Sequence, residues 1–108
     1  MEGEASQYGV VLVTASSRAE AEAIAKVLLE EKRVACANLF PVQSVYAWQG
    51  QLCQEEEWQL FLKTDLSKFS TLEQRIRQLH SYEVPEILAI PFVQGSLPYL
   101  QWLSGNMG

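Results

Sequence analysis

The chain has 108 residues, with 8 basic and 13 acidic side chains and a formal net charge of −5 at pH 7. This length suits one domain with one hydrophobic core and excludes two. Apolar residues make up 48% of the chain and no apolar run is long enough to span a membrane, so we expect a soluble globular protein. Nucleic acids and membranes are disfavoured as partners, because both attract clustered Lys and Arg side chains and the basic residues here are dispersed.

The N-terminal segment, residues 1–7 (MEGEASQ), is acidic and polar, the opposite of the basic start and apolar middle of a secretory signal. We therefore expect a cytoplasmic protein in which residues 1–7 are disordered and residues 1–108 make up a single domain. Cys36 and Cys53 are far apart in the sequence and form no C-x-x-C motif. They are typical of two reduced structural thiols rather than of a zinc or redox site.

The first half of the chain begins with a strand and a helix. Residues 8–15 (YGVVLVTA) are an almost continuous aliphatic run, which predicts a strand buried on both faces. Ser17 and Glu20 have the S-x-x-E spacing of a capping box, which predicts that a helix begins here and covers residues 18–32. One face of this helix is apolar and must pack on a sheet; it consists of Ala21, Ile24, Ala25 and Leu28.

Two extended arms, residues 34–48 and 52–64, predict a long hairpin that turns at Gly50. The first arm contains Pro41, which central strands exclude, so we place it at the edge of the sheet. At about 3.3 Å per residue the arm reaches roughly 45 Å, whereas a chain of this length has a radius of gyration of about 13 Å. Aromatic residues near its far end are better explained by a partner subunit than by water, so we predict a homo-oligomer.

The second half repeats the helix and strand order. Residues 65–79 predict a helix, Pro85 ends it, residues 87–93 predict a fourth strand, and residues 97–104 predict a short final helix. The resulting fold class is α+β, ferredoxin-like, with a split βαβ order (βαββαβ plus a short C-terminal helix) and an antiparallel sheet that carries the long hairpin. Within this sheet we place the first and third strands parallel to each other at the centre, with the fourth antiparallel to the first.

His80 is the only histidine of the chain, and Glu86 stands just before the fourth predicted strand. The topology brings both of them, with Glu83, towards the end of the first strand at residues 13–16. Imidazole nitrogen and carboxylate oxygen both bind divalent transition metals, so His80 and Glu86 are a candidate metal site. The site would be weak, since structural zinc sites use four protein ligands. The alternative is that both residues are ordinary polar groups at the ends of elements.

Several sequence blocks occur in one order along the chain: ACAN at 35–38, YAWQG at 46–50, LKT at 62–64, HSYEVPEI at 80–87, then Gly95 and YLQW at 99–102. In these blocks the chain resembles the CutA divalent-ion-tolerance family, and the resemblance extends over residues 9–103. It implies a ferredoxin-like subunit in a compact homotrimer, related in architecture to the PII signalling proteins. It also implies a link to tolerance of copper and other heavy metals.

The resemblance implies two kinds of site. The family's proposed copper site falls on Val13, Leu79 and His80, of which only His80 can bind a metal, so His80 with Glu86 remains as a reduced site. Clefts between subunits bind small ligands in PII-like trimers, and the side chains that would line such a cleft here, along with Glu86, are Trp48, Glu57, Lys63, Tyr82 and Glu83. The alternative is that these side chains only hold the subunits together.

Two functions therefore compete. The first is a trimeric divalent or heavy-metal ion-binding protein in metal tolerance or homeostasis, with copper as the ion and no obligatory cofactor. The second is a PII-like regulatory module that binds a small ligand or a protein partner at the intersubunit clefts. An enzyme is the least favoured class, because the chain has no P-loop or dinucleotide fingerprint and His80 has no nucleophile beside it. A stable scaffold without a ligand is a further alternative.

Overall fold

The order of the elements is β-α-β-β-α-β followed by a third helix, in a computed structural model that describes residues 5–108. The elements are β1 (Tyr8–Ala15), α1 (Arg18–Glu30), β2 (Cys36–Trp48), β3 (Gln51–Asp65), α2 (Phe69–Leu79), β4 (Leu88–Pro91) and α3 (Leu97–Gly105). In the predicted disordered segment, residues 1–4 lie outside the described residues, whereas Ala5–Gln7 form a 3-10 helix. Within the described residues, no helix is long and apolar enough to cross a membrane.

The four strands form one antiparallel sheet in the order β2-β3-β1-β4. This confirms the predicted ferredoxin-like α+β fold. The predicted parallel arrangement of the first and third strands is wrong, because Tyr8 pairs with Asp65 and Ala15 with Trp58. The crossover through α1 makes β1 parallel to β2, and the hairpin then reverses the direction of β3.

Several element boundaries differ from the expectation: α1 ends at Glu30 and not at residue 32, and β2 begins at Cys36 and not at residue 34. The helix predicted for residues 65–79 begins with the 3-10 helix Leu66–Lys68, because the Asp65 side chain accepts a hydrogen bond from the Ser67 N–H and shapes this first turn. The fourth strand is shorter than the predicted residues 87–93 and covers Leu88–Pro91, although the Phe92 N–H still donates to the Tyr8 carbonyl oxygen at 3.0 Å.

The core lies between one face of the sheet and the helices α1 and α2. The Ser17 hydroxyl accepts a hydrogen bond from the Glu20 N–H at 3.1 Å, so the predicted cap begins α1. The predicted apolar face of α1 is buried, and α2 adds Leu72 and Ile76. A smaller cluster of Tyr8, Leu100 and Leu103 packs α3 against the N-terminal end of β1. Strand β1 is thus the centre of the subunit.

The hairpin extends beyond this core. β2 and β3 pair continuously from Cys36 and Lys63 to Trp48 and Gln51, but β1 covers β3 only from Trp58 to Asp65. The turn residue Gly50 has a φ of 77°, which favours glycine and suits a tight two-residue hairpin turn. The described chain measures 47 × 26 × 23 Å along its principal axes. The far half of the hairpin, beyond Trp58, is therefore left uncovered by β1, and within the described residues β3 pairs there with β2 alone.

Gly9 marks a close approach between β1 and β4. A Cβ atom at Gly9 would overlap the Ile90 carbonyl oxygen and lie 2.7 Å from Leu66 Cδ1. We expect Gly9→Ala to lower the free energy of unfolding by about 1–3 kcal/mol, because the backbone of β4 has to shift. Urea unfolding measures the change, with Gly105→Ala as control, since a Cβ there meets no atom within 4 Å. Equal stabilities of the two variants would contradict this packing.

Candidate functional site

A cleft of about 790 Å³ opens between the uncovered half of the hairpin and the segment that joins α2 to β4. The hairpin contributes Tyr46, Trp48 and Glu57, and the joining segment contributes Tyr82, Glu83 and Glu86. Within residues 5–108, no Lys or Arg side chain lines this cleft. The charged residues of its lining are therefore all acidic, and they are accompanied by aromatic, neutral polar and aliphatic side chains.

Glu57 and Tyr82 meet across the cleft. The Tyr82 hydroxyl donates a hydrogen bond of 2.6 Å to Glu57 Oε2, and Glu57 is only 6% exposed. Burial, the hydrogen bond to Glu57 and the negative charges of Glu57 and Glu55 raise the pKa of Tyr82. The phenol thus remains a hydrogen-bond donor to a carboxylate near neutral pH, in a charge-assisted contact.

Gln59 links the end of β1 to the cleft. Its Nε2 donates to the Val13 carbonyl oxygen at 3.1 Å and to Glu86 Oε2 at 3.2 Å. This contact holds Glu86 near the end of β1, as the sequence predicted. The role of Gln59 was not anticipated, because a glutamine in a strand carries no signal of a distant partner.

The side chain of His80 has no exposed surface. Its Nε2 lies 2.7 Å from the Thr14 carbonyl oxygen, and its Nδ1 lies 3.0 Å from the Tyr82 N–H, which donates to it. These contacts fit a neutral imidazole with its hydrogen on Nε2, so neither nitrogen has a free lone pair. His80 fastens the segment after α2 to the end of β1 and places Tyr82 beside the cleft.

Three of the donor atoms of the predicted metal site have other partners in this geometry. A metal at His80 would have to displace the Tyr82 N–H or the Thr14 carbonyl oxygen from a fully buried ring. Glu86, the other predicted ligand, already accepts a hydrogen bond from Gln59. Across the described part of the chain, no three His, Cys, Asp or Glu side chains are grouped so that they could hold a metal ion.

Of the predicted cleft residues, Trp48, Glu57, Tyr82 and Glu83 line the cleft, and Lys63 does not. Lys63 lies six residues along β3 from Glu57, which corresponds to roughly 20 Å at the strand rise. Its Nζ sits 5.8 Å from the centre of the Tyr99 ring, next to α3. The even spacing of the two residues places them on one face of the sheet, but at opposite ends of it.

Glu20 ties the first turn of α1 to the segment after α2. Its carboxylate accepts hydrogen bonds from the Ser16 N–H at 3.0 Å, the Ser16 hydroxyl at 2.8 Å and the Ser81 N–H at 2.9 Å. Burial raises the pKa of Glu20, but the hydrogen bonds from Ser81 and Ser16 outweigh it and lower the pKa from 4.5 to about 2. The sequence indicated the local cap but not the contact with Ser81.

The low pKa of Glu20 predicts a pH-dependent contribution to stability. Because the folded-state pKa is below the ordinary value, the stabilisation is present above pH 4.5 and is lost as the pH falls towards 2. We expect Glu20→Gln to cost about 1–2 kcal/mol at pH 7, a value discounted for solvent screening, and progressively less towards pH 3. Urea unfolding between pH 3 and 7 measures this. The control is Glu30→Gln on the exposed side of α1, and parallel pH profiles for the two variants would contradict the assignment.

Known proteins of similar sequence cover nearly the whole chain. The profile of the family described as CutA1 divalent ion tolerance protein matches residues 9–106. The divalent-cation tolerance protein CutA of Thermus thermophilus is 44% identical over 100 residues, which are 92% of this chain and 97% of that protein. The protein of the same name from Archaeoglobus fulgidus is 38% identical over 96 residues, covering 89% and 94%.

Solved structures agree in fold. The structure described as the periplasmic divalent cation tolerance protein CutA from Archaeoglobus fulgidus has a TM-score of 0.90 at 37% identity and covers 92% of this chain and 97% of that chain. CutA1 from Pyrococcus horikoshii has a TM-score of 0.90 at 34% identity and covers 93% and 98%. The chain therefore belongs to the CutA1 divalent ion tolerance protein family.

Proposed function

We propose that this protein acts in divalent-cation tolerance as a homotrimer that binds a small ligand in clefts beside its hairpins, as a regulatory module and not as an enzyme. The role in cation tolerance follows from the family and from the names of its relatives. The observation that carries the proposal is that the uncovered end of the hairpin also forms a wall of the cleft.

The assembly is supported by two apolar edges on the same sheet. At the hairpin end, Leu52 is 74% and Val45 is 63% exposed, and on β4 Leu88 is 56% and Ile90 is 49% exposed. Exposed apolar surface of this kind marks sites of protein association, and unpaired strand edges invite pairing. Two different edges on each chain suit a head-to-tail ring, in which the hairpin of one copy covers an edge of the next. Closure with three copies rests on the resemblance to the CutA family.

The ring would place the cleft at a subunit boundary. Tyr46 and Trp48 line the cleft and belong to the same hairpin end as the exposed apolar residues. A copy that covers this end therefore lies next to the cleft. This placement favours the regulatory function over copper binding at His80 and Glu86, because both ring nitrogens of His80 and Oε2 of Glu86 are hydrogen-bonded within the subunit.

We also place the protein in the cytoplasm. Cys36 and Cys53 are free thiols, which suits a reducing compartment. The Archaeoglobus fulgidus structure is described as periplasmic, and that description applies to that protein.

The oligomeric state tests the assembly. Light scattering after size exclusion is expected to give three times the chain mass for the wild type. Leu52→Lys places a charge in the proposed subunit contact and is expected to shift the mass to that of a monomer. The control is Leu29→Lys, which makes the same exchange at an exposed leucine of α1. This variant is expected to remain trimeric. A monomeric wild type would remove the proposal.

A copper titration tests the metal site predicted at His80 and Glu86. The background carries Cys36→Ser and Cys53→Ser, which remove both thiols. In it we expect the protein with His80 and the variants His80→Ala and His80→Gln to have the same copper affinity by calorimetry. The reason is that the imidazole has no free lone pair. Glutamine can still form side-chain hydrogen bonds at this position and alanine cannot. If one of the two variants fails to fold, the other still gives a copper affinity to compare. Circular dichroism confirms that each is folded. A tenfold loss of copper affinity in both would restore His80 as a ligand.

A further inference from the structure

We infer that Glu57 of one subunit forms an ion pair with Lys63 of the partner subunit, so that each cleft is completed by a side chain from the next copy in the ring. This inference rests on the proposed function, since it names the partner contact of the same cleft. It follows from a partly covered face of the sheet, from the opposite charges at the two ends of that face and from the distance between these charges within one chain.

The open face is the side of the sheet away from α1 and α2, to which Val10 and Leu12 point. Successive side chains of β1 alternate between the two faces, so Val11 and Val13 enter the core while Val10 and Leu12 point the other way. The first two are fully buried, whereas Val10 and Leu12 keep part of their surface exposed. The aliphatic run of β1 predicts burial on both faces, and one subunit covers only one of them completely.

The two ends of the open face carry opposite charges. Leu60 and Leu62 of β3 point into the core, so Glu57 and Lys63 point to the open face. Glu57 lies at the cleft, and Lys63 lies in one row of the sheet with Ile90 on the exposed edge β4. The two charged residues are roughly 20 Å apart along β3, so they cannot pair within one chain.

Glu57 is a buried carboxylate without a counter-charge from the described part of its own subunit. It is 6% exposed, and its hydrogen-bond donor is the neutral hydroxyl of Tyr82. Among residues 5–108, no Lys or Arg forms an ion pair with Glu57, and no Asp or Glu forms one with Lys63. Removing a carboxylate from water is costly unless an opposite charge lies nearby. The ammonium group of a partner subunit provides that charge.

Aromatic side chains accompany the charge at each end of the open face. Tyr46 and Trp48 line the cleft beside Glu57, and both are partly exposed. At the other end the Lys63 ammonium lies 5.8 Å from the centre of the Tyr99 ring, and Tyr99 is itself 39% exposed. Trp102 of α3 is 47% exposed beside it, with the two ring centres 5.5 Å apart.

These two ends fit each other and not themselves. Tyr and Trp are enriched in the cores of protein interfaces, and opposite charges across an interface fix its register. A head-to-tail ring places one end of each copy against the other end of the next copy. The hairpin end with Glu57 therefore lies on the β4 and α3 side of its neighbour, where Lys63 is located.

Charge reversal tests this contact, with light scattering after size exclusion as the measurement. We expect Glu57→Lys and Lys63→Glu each to shift the trimer to monomers, because like charges then face each other. The double variant Glu57→Lys, Lys63→Glu exchanges the two charges and is expected to return to a trimer. The two positions are too far apart to pair within one chain, so this recovery requires a contact between copies.

Matched controls make the same charge changes on the exposed side of α1. Glu30→Lys corresponds to Glu57→Lys, and Lys26→Glu corresponds to Lys63→Glu, at two exposed residues of this helix. Both controls are expected to remain trimeric. Controls that dissociate as readily as the variants of Glu57 and Lys63 would overturn the inference, because assembly would then follow net charge alone.

Neutral variants give a second test that places no new charge in a buried position. Glu57→Gln still accepts a hydrogen bond from Tyr82, and Lys63→Gln keeps a polar side chain. Over a dilution series we expect each to raise the concentration of half-dissociation by about tenfold or more. The double variant is expected to match the larger single effect within about threefold, since the pair is lost only once. Single effects that multiply in the double variant would overturn the inference.

The outcomes separate this inference from the proposed assembly. A trimeric wild type whose folded double reversal remains monomeric overturns the ion pair and leaves the assembly standing. Single reversals that remain trimeric do the same. If circular dichroism shows a reversed variant to be unfolded, the neutral variants decide. A monomeric wild type removes both proposals.

Discussion

The structure depends on one mismatch of length: the hairpin is longer than the sheet that supports it. β3 has 15 residues, but β1 has 8 and pairs only with the part of β3 from Trp58 to Asp65. The supported half contributes Leu60 and Leu62 to the core, and the unsupported half presents apolar and aromatic side chains to its surroundings. In the proposed assembly another copy covers this surface, and that contact places a subunit boundary beside the cleft.

The opposite wall of the cleft is held by a set of polar contacts, in addition to Ile87, which packs against the core. His80, Glu20 and Gln59 attach the segment between α2 and β4 to the end of β1 and to the start of α1. A buried polar network of this kind orients the groups attached to it, because each donor and acceptor has a partner at a fixed position. Tyr82 and Glu86 consequently face the cleft from a rigid base. His80, the predicted metal ligand, connects the segment after α2 to the end of β1 through its hydrogen bonds.

Sequence patterns predicted the elements well and the site only in part. The bounds of β1, the buried face of α1 and the long hairpin follow from the periods of apolar residues and from a capping motif, which are local properties. The direction of β3 relative to β1 depends on how the crossover packs and was predicted wrongly. The even spacing of Glu57 and Lys63 along one strand placed them on the same face of the sheet but not in the same site. The contact of Glu20 with Ser81 joins distant parts of the chain, which a local pattern does not reveal.

The most direct test of this account is the solvent exposure of Trp48, which is 43% exposed in the isolated subunit. In a chain with Trp58→Phe and Trp102→Phe, fluorescence reports on Trp48 alone, and acrylamide quenching measures its accessibility. If another copy covers the hairpin end, the quenching constant in the native protein is expected to be several-fold below that of an unstructured peptide containing tryptophan. A native quenching constant close to that of the peptide would contradict the account.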